Sequence, residues 1–199
     1  MKDILHFSHA NGFPAGCYAT LFSYLSNDYD IRSIDRLGHD KNYPVTNNWE
    51  FLVQQLIDHF EHHYDQPVFA VGHSLGGVLS MMVAAKRPDL VKGLIMLDAP
   101  FLTAFEAIGL NWVKRLGLID RVTPAGRTLG RQEQWDSLAH THHYFRGKKL
   151  FHAFDERCLS DYVEAGTQVI SGGRRQLHFD AATEIDIYRT IPDNLHHTQ

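Results

Sequence analysis

Residues 67–77 read Pro-Val-Phe-Ala-Val-Gly-His-Ser-Leu-Gly-Gly, and this stretch decides the fold. Its apolar first half is typical of a strand buried in the middle of a parallel sheet. Residues 75–86 are small or good helix formers, and Arg87-Pro88 ends the helix because proline disfavours helical backbone in the residue before it. The pattern therefore predicts a strand, a sharp turn and a helix in direct succession.

Ser74 stands at that turn, with Gly72 two residues before it and Gly76 two residues after it. A nucleophilic serine at such an elbow has a strained backbone, so small neighbours are needed to avoid collisions. The N-terminus of the next helix directs free N–H groups toward the serine, where they stabilise developing negative charge. The pattern favours nucleophilic catalysis. The alternative is a structural turn or a phosphate-binding loop, although neither common glycine-rich phosphate motif is present.

Working outward, strand and helix signals alternate over residues 1–100, which is typical of a parallel sheet covered on both faces. Strands are predicted at 4–8, 29–34, 67–72 and 90–97, and helices at 18–25, 47–64 and 75–86. Asn47 or Asn48 is the predicted N-cap of the middle helix. Right-handed crossovers place the four strands beside one another in one sheet.

Composition changes after Pro100. Residues 101–190 are richer in Arg, Gln, His and Thr, and they show helical spacing near 105–116 and 151–165 but no convincing strand. We interpret residues 1–100 as an α/β core and residues 101–190 as a helical cap over the carboxyl edge of the sheet. Residues 191–199 form a tail at the point where the core would resume.

A second candidate segment follows the first strand. Residues 9–14 read His-Ala-Asn-Gly-Phe-Pro, and the glycine allows the backbone to approach a substrate closely. An N–H of this loop would pair with the N–H of Leu75 to form an oxyanion hole. The alternative is an ordinary loop between a strand and a helix.

These motifs resemble those of the α/β-hydrolases of the serine hydrolase type. Gly-His-Ser-Leu-Gly-Gly at 72–77 matches the family's elbow, and residues 9–14 resemble its H-G-F-P loop with two residues inserted. Residues 35–40 resemble its D-x-x-G-H-G loop, with aspartate as the last residue. The resemblance implies Ser74 as the nucleophile and the N–H groups of Phe13 and Leu75 as oxyanion donors. It implies His73 as part of the elbow but not as the base, and no metal or organic cofactor.

The family's chain order is nucleophile, acid, then histidine on a loop after the last strand. Here the cap ends near residue 192, so we expect a C-terminally truncated hydrolase that lacks its last strands and its catalytic histidine. By the resemblance, Asp98 occupies one of the family's two positions for the acid; otherwise it caps a turn. If an internal histidine is the base, the candidates form one set: His9, His39, His178, His196 and His197.

Composition excludes several other classes. With 44% hydrophobic and 21% charged residues the chain is globular, and a net charge of −4 without a basic run makes nucleic acid an improbable partner. Cys17 and Cys158 have no metal-ligand or disulfide spacing. His59, His62 and His63 share a helix face suited in principle to a metal, but lack a further ligand and are interpreted as solvated. Without a signal peptide or a membrane-length apolar stretch, the expected location is cytoplasmic.

We therefore expect a serine hydrolase that cleaves an ester or related acyl bond of a small, partly apolar substrate. The alternative is a noncatalytic short form of the same fold that binds a ligand or a partner. A dehalogenase is disfavoured because it requires a carboxylate where Ser74 stands. Truncation would leave residues 91–97 with an unpaired edge, so we expect self-association, and we expect Ile95 to face a covering helix.

Overall fold

The first strand, β1, spans Asp3–Ser8 in the computed structural model, which describes residues 2–100 and 104–193. The other core elements are, in chain order, α1 (Ala19–Leu25), β2 (Tyr29–Arg32), α2 (Glu50–His63), β3 (Val68–His73), α3 (Leu75–Lys86) and β4 (Val91–Leu97). The four strands pair in parallel in the order β2-β1-β3-β4. The predicted parallel α/β sheet is confirmed, and β1 and β3 are its central strands.

Helices cover the two faces of this sheet. Helices α2 and α3 pack against one face, where the core includes the apolar stripe Leu52, Val53, Leu56 and Phe60 of α2. Helix α1 packs against the other face, over Leu5, Phe7 and Val71. Burying one large apolar side chain stabilises a fold by roughly 1.5–3 kcal/mol. Each helix that follows a strand can therefore stabilise the fold by covering one face of the sheet, which explains why strands and helices alternate in the sequence.

Strand β4 is an edge strand with an exposed apolar surface. Leu94 is 38% exposed, Ile95 50% and Leu97 39%. Ile95 is in register with Val71 of β3, which is 5% exposed. The expectation that Ile95 faces a covering helix is therefore wrong for the part of the chain that the structure describes.

The N-terminus of α2 also differs from the prediction. The helix follows a short 3-10 turn at Asn47–Trp49, in which Asn48 and Trp49 have positive φ angles of 62° and 57°. Neither asparagine caps the helix through its side chain. Instead, Asn48 Oδ1 accepts a hydrogen bond from the N–H of Asp193 at 3.0 Å, so this residue fastens a distant segment of the chain.

The second half of the chain is mostly helical but contains strands. Its elements are α4 (Ala104–Arg115), α5 (Ile119–Val122), α6 (Ala125–Thr128), β5 (Gln134–Trp135), α7 (Leu138–Arg146), α8 (Glu156–Ala165), β6 (Thr167–Val169), β7 (Arg175–Leu177) and α9 (Ala181–Arg189). The three strands form a small antiparallel sheet in the order β5-β7-β6. The expectation of no strand here is wrong, because strands of two or three residues are too short to show an alternating pattern.

This second half packs onto the first. A cluster formed by Trp135, Phe145, Phe151, Leu159 and Tyr162 also includes Cys17, from the short 3-10 helix before α1. In the other direction, Phe179 and Ile187 join the core that α2 and α3 form. The two halves therefore share their hydrophobic cores. Among the described residues, no helix combines the length and apolarity needed to cross a membrane.

Candidate active site

Ser74 occupies a strained turn between β3 and α3. Its φ and ψ angles are 49° and −113°, a region that L-residues rarely adopt, and it is the N-cap residue of α3. Such a conformation costs of order 1–3 kcal/mol and persists only where the surroundings impose it. Here the Ser74 N–H donates to the carbonyl oxygen of Leu97, at 3.0 Å, which ties the turn to the end of β4.

The glycines beside Ser74 leave no space for a side chain. A Cβ on Gly72 would lie 2.2 Å from the carbonyl group of Gly76, and a Cβ on Gly76 would lie 2.0 Å from the carbonyl oxygen of Ser8. Both obstacles are backbone atoms, which cannot rotate away. The N–H of Leu75, in the first turn of α3, has no intrahelical partner and is suited to stabilise an anion.

The loop after β1 lies next to this turn and is itself tightly folded. Gly12 has a φ of 77°, and the Phe13 N–H donates to the carbonyl oxygen of Ala10 at 3.0 Å. The N–H group assigned to the oxyanion by resemblance is thus already bonded within the turn. The N–H of Asn11 has no hydrogen-bond partner among the described residues. Aligning the loop on its histidine, instead of on its proline, would have indicated Asn11 from the sequence.

Two contacts hold this loop on the side of the sheet. The Ala10 N–H donates to the hydroxyl oxygen of Tyr18 at 3.1 Å, and the same oxygen lies 2.8 Å from Nδ1 of His73. Burial raises the pKa of Tyr18 and lowers the pKa of His73, although Asp98 nearby raises the latter somewhat. Both side chains are therefore neutral near pH 7.

Helix α9 also contacts the loop, through Glu184. Asn11 Nδ2 donates to the backbone carbonyl of Glu184 at 2.9 Å, and a Cβ on Gly12 would lie 2.9 Å from Glu184 Oε2. The buried Glu184 carboxylate accepts hydrogen bonds from Thr128 Oγ1 at 3.1 Å and from Arg131 Nη1 at 3.0 Å. Because these partners are more than 100 residues away from the loop, sequence reasoning did not identify them.

His9 has a structural position. It is fully buried, its Nδ1–H donates to the Ala10 carbonyl at 2.8 Å, and its Nε2 accepts from the Leu37 N–H at 2.7 Å. Burial lowers the pKa of His9 to about 4. With both ring nitrogens bonded to backbone, this histidine has no free nitrogen for a proton from Ser74.

Two other candidate bases, His39 and His178, also bond to partners away from Ser74. His39 donates from Nδ1 to the Leu37 carbonyl and accepts from the Asp180 N–H at Nε2. His178 Nε2 lies 3.3 Å from Asp35 Oδ2. His196 and His197 lie outside the described residues. Within residues 2–100 and 104–193, no imidazole forms a hydrogen bond with Ser74 Oγ.

Asp98, the candidate acid, directly follows β4. Its side chain is exposed and its φ is 45°, so the residue after β4 has a left-handed backbone, as does the residue after β3. Among the described residues, the Asp98 carboxylate forms no hydrogen bond with a candidate base. It places Asp98 one residue from Leu97, whose carbonyl accepts the Ser74 N–H.

Two of the three histidines of α2, His59 and His63, contact each other, and His59 also contacts a tyrosine. The rings of His59 and His63 stack with centroids 4.3 Å apart, and His59 Nε2 lies 3.2 Å from the Tyr64 hydroxyl. In the part of the chain that is described, no group of three or more His, Cys, Asp or Glu side chains is arranged to bind a metal ion. Cys17 and Cys158 are both free thiols.

Known proteins resemble this chain over much of its length. It is 29% identical over 138 residues to monoglyceride lipase of Mus musculus, a match that covers 65% of this chain and 45% of that protein. Lipase LipV of Mycobacterium tuberculosis is 40% identical over 70 residues, covering 34% of this chain and 26% of the lipase. The chain thus spans less than half the length of these relatives.

The fold also matches solved structures. That of E-2-(acetamidomethylene)succinate hydrolase superposes with a TM-score of 0.70 at 24% identity, covering 95% of this chain and 65% of that one. The sequence model of the alpha/beta hydrolase family matches residues 7–195, which include the strained turn, the loop after β1 and the helices packed over them. The chain is therefore a member of the alpha/beta hydrolase family.

Proposed function

We propose that this chain carries the nucleophile of a serine hydrolase that cleaves an ester or related acyl bond of a small, partly apolar substrate. The observation that carries the proposal is the positive φ of Ser74 at the first turn of α3. A strained serine backed by a helix N-terminus serves no packing purpose, whereas it exposes Oγ beside free N–H donors. The lipases among its relatives support an ester as the substrate class.

In this mechanism Ser74 Oγ attacks the carbonyl carbon of the ester, and a general base takes the hydroxyl proton. The carbonyl oxygen becomes an oxyanion held by the Leu75 N–H and by an N–H of the loop after β1. Asn11 is favoured as that second donor over Phe13, because the Phe13 N–H donates to Ala10. Collapse of the intermediate expels the alcohol, which takes the proton from the base, and water then hydrolyses the acyl-enzyme.

The base is proposed to come from chain outside the described residues. Support comes from the bonding of His9, His39 and His178 to other partners. Asp98 is retained as the candidate acid because it lies beside the strand end that contacts Ser74. We also propose the division into a core over 1–100 and a cap over 101–190.

A second candidate function is a noncatalytic short form that binds a ligand or a partner. It is favoured by the absence, among the described residues, of an imidazole bonded to Ser74 Oγ.

We further propose that the exposed edge of β4 drives association between copies of this chain, since Leu94, Ile95 and Leu97 lie on an edge strand that is unpaired on one side.

Reaction with a fluorophosphonate tests the nucleophile. Ser74 Oγ bonds to phosphorus, fluoride leaves and the hydroxyl proton passes to water, so intact mass should rise by one phosphonyl group. The reaction should be slow, because loss of the base in a serine protease costs about 10⁶ in kcat. Labelling that persists in Ser74→Ala would refute the assignment.

Turnover of a p-nitrophenyl ester distinguishes the remaining alternatives. Almost no turnover is expected from the 199-residue chain. Fast turnover that Ser74→Ala abolishes would mean that a histidine of this chain is the base after all. No labelling of the unmodified chain, with intact folding, would favour the noncatalytic form.

A further inference from the structure

We propose that Tyr18 is a positioning residue whose hydroxyl sets the spacing between the two backbone segments that carry the oxyanion donors. The inference rests on the proposed function and adds a residue to it. Tyr18 contacts neither Ser74 nor the proposed donors themselves. It acts through Ala10, which precedes Asn11, and through His73, which lies two residues before Leu75.

The hydrogens of this bridge can be assigned from its partners. A backbone N–H only donates, so the Tyr18 oxygen accepts from Ala10. A hydroxyl oxygen can accept two hydrogen bonds, but no other described atom accepts the phenol hydrogen, so we assign it to His73 Nδ1, at 2.8 Å. His73 Nδ1 is therefore the acceptor, and the neutral ring carries its hydrogen on Nε2. One hydroxyl thus satisfies a donor on one segment and an acceptor on the other.

The ring of Tyr18 is held independently of its hydroxyl. Its centroid lies 4.6 Å from that of Phe7 and 6.3 Å from that of Phe22, and it meets the His73 ring edge-on at 5.9 Å. Tyr18 also ends the 3-10 helix Ala15–Tyr18, which packs against α8. A phenylalanine at this position would keep these contacts and remove only the bridge.

Loss of the bridge would leave the Ala10 N–H and His73 Nδ1 without their shared partner. The two segments would then relax relative to each other, and the donors would move from the position that the oxyanion requires. Loss of a whole oxyanion donor costs about 10²–10³ in rate, so a displaced donor should cost roughly tenfold. Binding of the reagent before reaction should change little, because the Tyr18 hydroxyl bonds to Ala10 and His73 and not to Ser74.

The test compares Tyr18→Phe with Tyr24→Phe in the full chain. Tyr24 is exposed, and its hydroxyl accepts from Arg157 Nη1 at 2.7 Å and not from either segment, so it is a matched control. The rate of Ser74 labelling is measured against fluorophosphonate concentration. In Tyr18→Phe the maximal rate constant should fall about tenfold with an unchanged half-saturating concentration. Tyr24→Phe should match the unmodified chain.

Two spectroscopic measurements, one on the unmodified chain and one on Tyr18→Phe, test the bridge directly. The ¹⁵N shifts of His73 should identify Nδ1 as the unprotonated acceptor, and amide exchange of Ala10 should accelerate in Tyr18→Phe. A protonated Nδ1 at neutral pH would overturn the bridge, even if Tyr18→Phe fails to fold. Unchanged labelling in Tyr18→Phe would overturn the positioning role while leaving the proposed function intact. Absence of labelling in the unmodified chain would instead overturn the proposed function, and the role of Tyr18 with it.

Discussion

Strands β3 and β4 lie side by side, and Val71 is in register with Ile95, yet the two side chains have different surroundings. Val71 is 5% exposed between β1 and β4, whereas Ile95 is 50% exposed at the sheet edge. Both strands are apolar runs in the sequence. An apolar sequence therefore shows that a strand is suited to burial. How far its side chains are actually buried depends on the strands and helices that pack beside it.

The two strands are alike at their carboxyl ends. Each is followed by a non-glycine residue with a positive φ, Ser74 at 49° and Asp98 at 45°. Aspartate adopts this conformation at lower cost than serine, because its short carboxylate bonds to nearby backbone. Local sequence therefore explains the positive φ of Asp98 better than that of Ser74. For this reason the proposal of a nucleophile rests on Ser74.

The largest effect should come from placing a charge on each member of the Val71–Ile95 pair. Val71→Lys buries an ammonium without a partner, and we expect a loss of more than about 4 kcal/mol, enough to prevent folding. Ile95→Lys should change the free energy of unfolding by less than about 1 kcal/mol, because the side chain reaches water. Urea unfolding followed by circular dichroism measures both.

The same pair tests the proposed self-association. Sedimentation of the unmodified chain should depend on its concentration, and Ile95→Lys should weaken this dependence by placing charge on the free edge. Equal destabilisation by the two lysines would mean that Ile95 is covered in solution. A monomer that resists changes in concentration would contradict the association itself.

The second largest effect is a pH dependence of stability that comes from His9, the buried residue directly after β1. His9 is neutral in the folded chain because burial lowers its pKa from 6.5 to about 4. Between these pH values the unfolded chain binds a proton that the folded chain does not, so stability falls as pH falls. His9 should lower the free energy of unfolding by about 3 kcal/mol as the pH falls from 6.5 to 4. Above pH 7 it should cause no loss of stability, because the histidine is neutral in both states.

Urea unfolding at pH 7, 6 and 5 measures this slope. It should be shallower in His9→Gln, and the remaining slope should come from the other histidines whose pKa values burial lowers, which are His6, His39, His59 and His73. The matched control substitution is His152→Gln, because this histidine is exposed. An unchanged slope in His9→Gln would show that His9 titrates normally.

The smallest effect concerns the strained residues themselves. Ser74→Gly should stabilise the chain by about 1 kcal/mol, because glycine adopts a positive φ without a steric cost. Ser74→Ala also removes Oγ but keeps Cβ, so it should give no such gain. Asp98→Gly should gain less than Ser74→Gly. Thermal unfolding of the three variants would reveal the order, and a gain in Ser74→Ala equal to that in Ser74→Gly would contradict backbone strain.

The sequence predicts the first hundred residues closely because their signals are local. Helix α3 has the predicted bounds, β1 and β4 differ from the prediction by one residue at one end, and β3 is shifted by one residue at both ends. The glycines around Ser74 follow from the needs of one turn. By contrast, β5, β6 and β7 are too short for periodicity, and their pairing depends on residues up to about 40 positions apart.

The candidate site was predictable to a smaller extent. The position of Ser74 follows from its motif, but the use of the Phe13 N–H within the turn depends on how the loop folds. The contacts of Tyr18 with His73 and of Asn11 with Glu184 join residues 55 and 173 positions apart. Such pairs have no signature in a single sequence, because only the assembled fold brings them together.

The two free cysteines differ in burial, so the rates at which a reagent modifies them report motion between the halves of the chain. Cys17 is buried in the cluster shared with α7 and α8, and burial raises the pKa of its thiol, whereas Cys158 is only partly buried. A thiol reagent should modify Cys158 at once and Cys17 only when the second half lifts away from the first. The rate at Cys17 relative to the rate at Cys158 therefore reports how often the cluster around Cys17 opens.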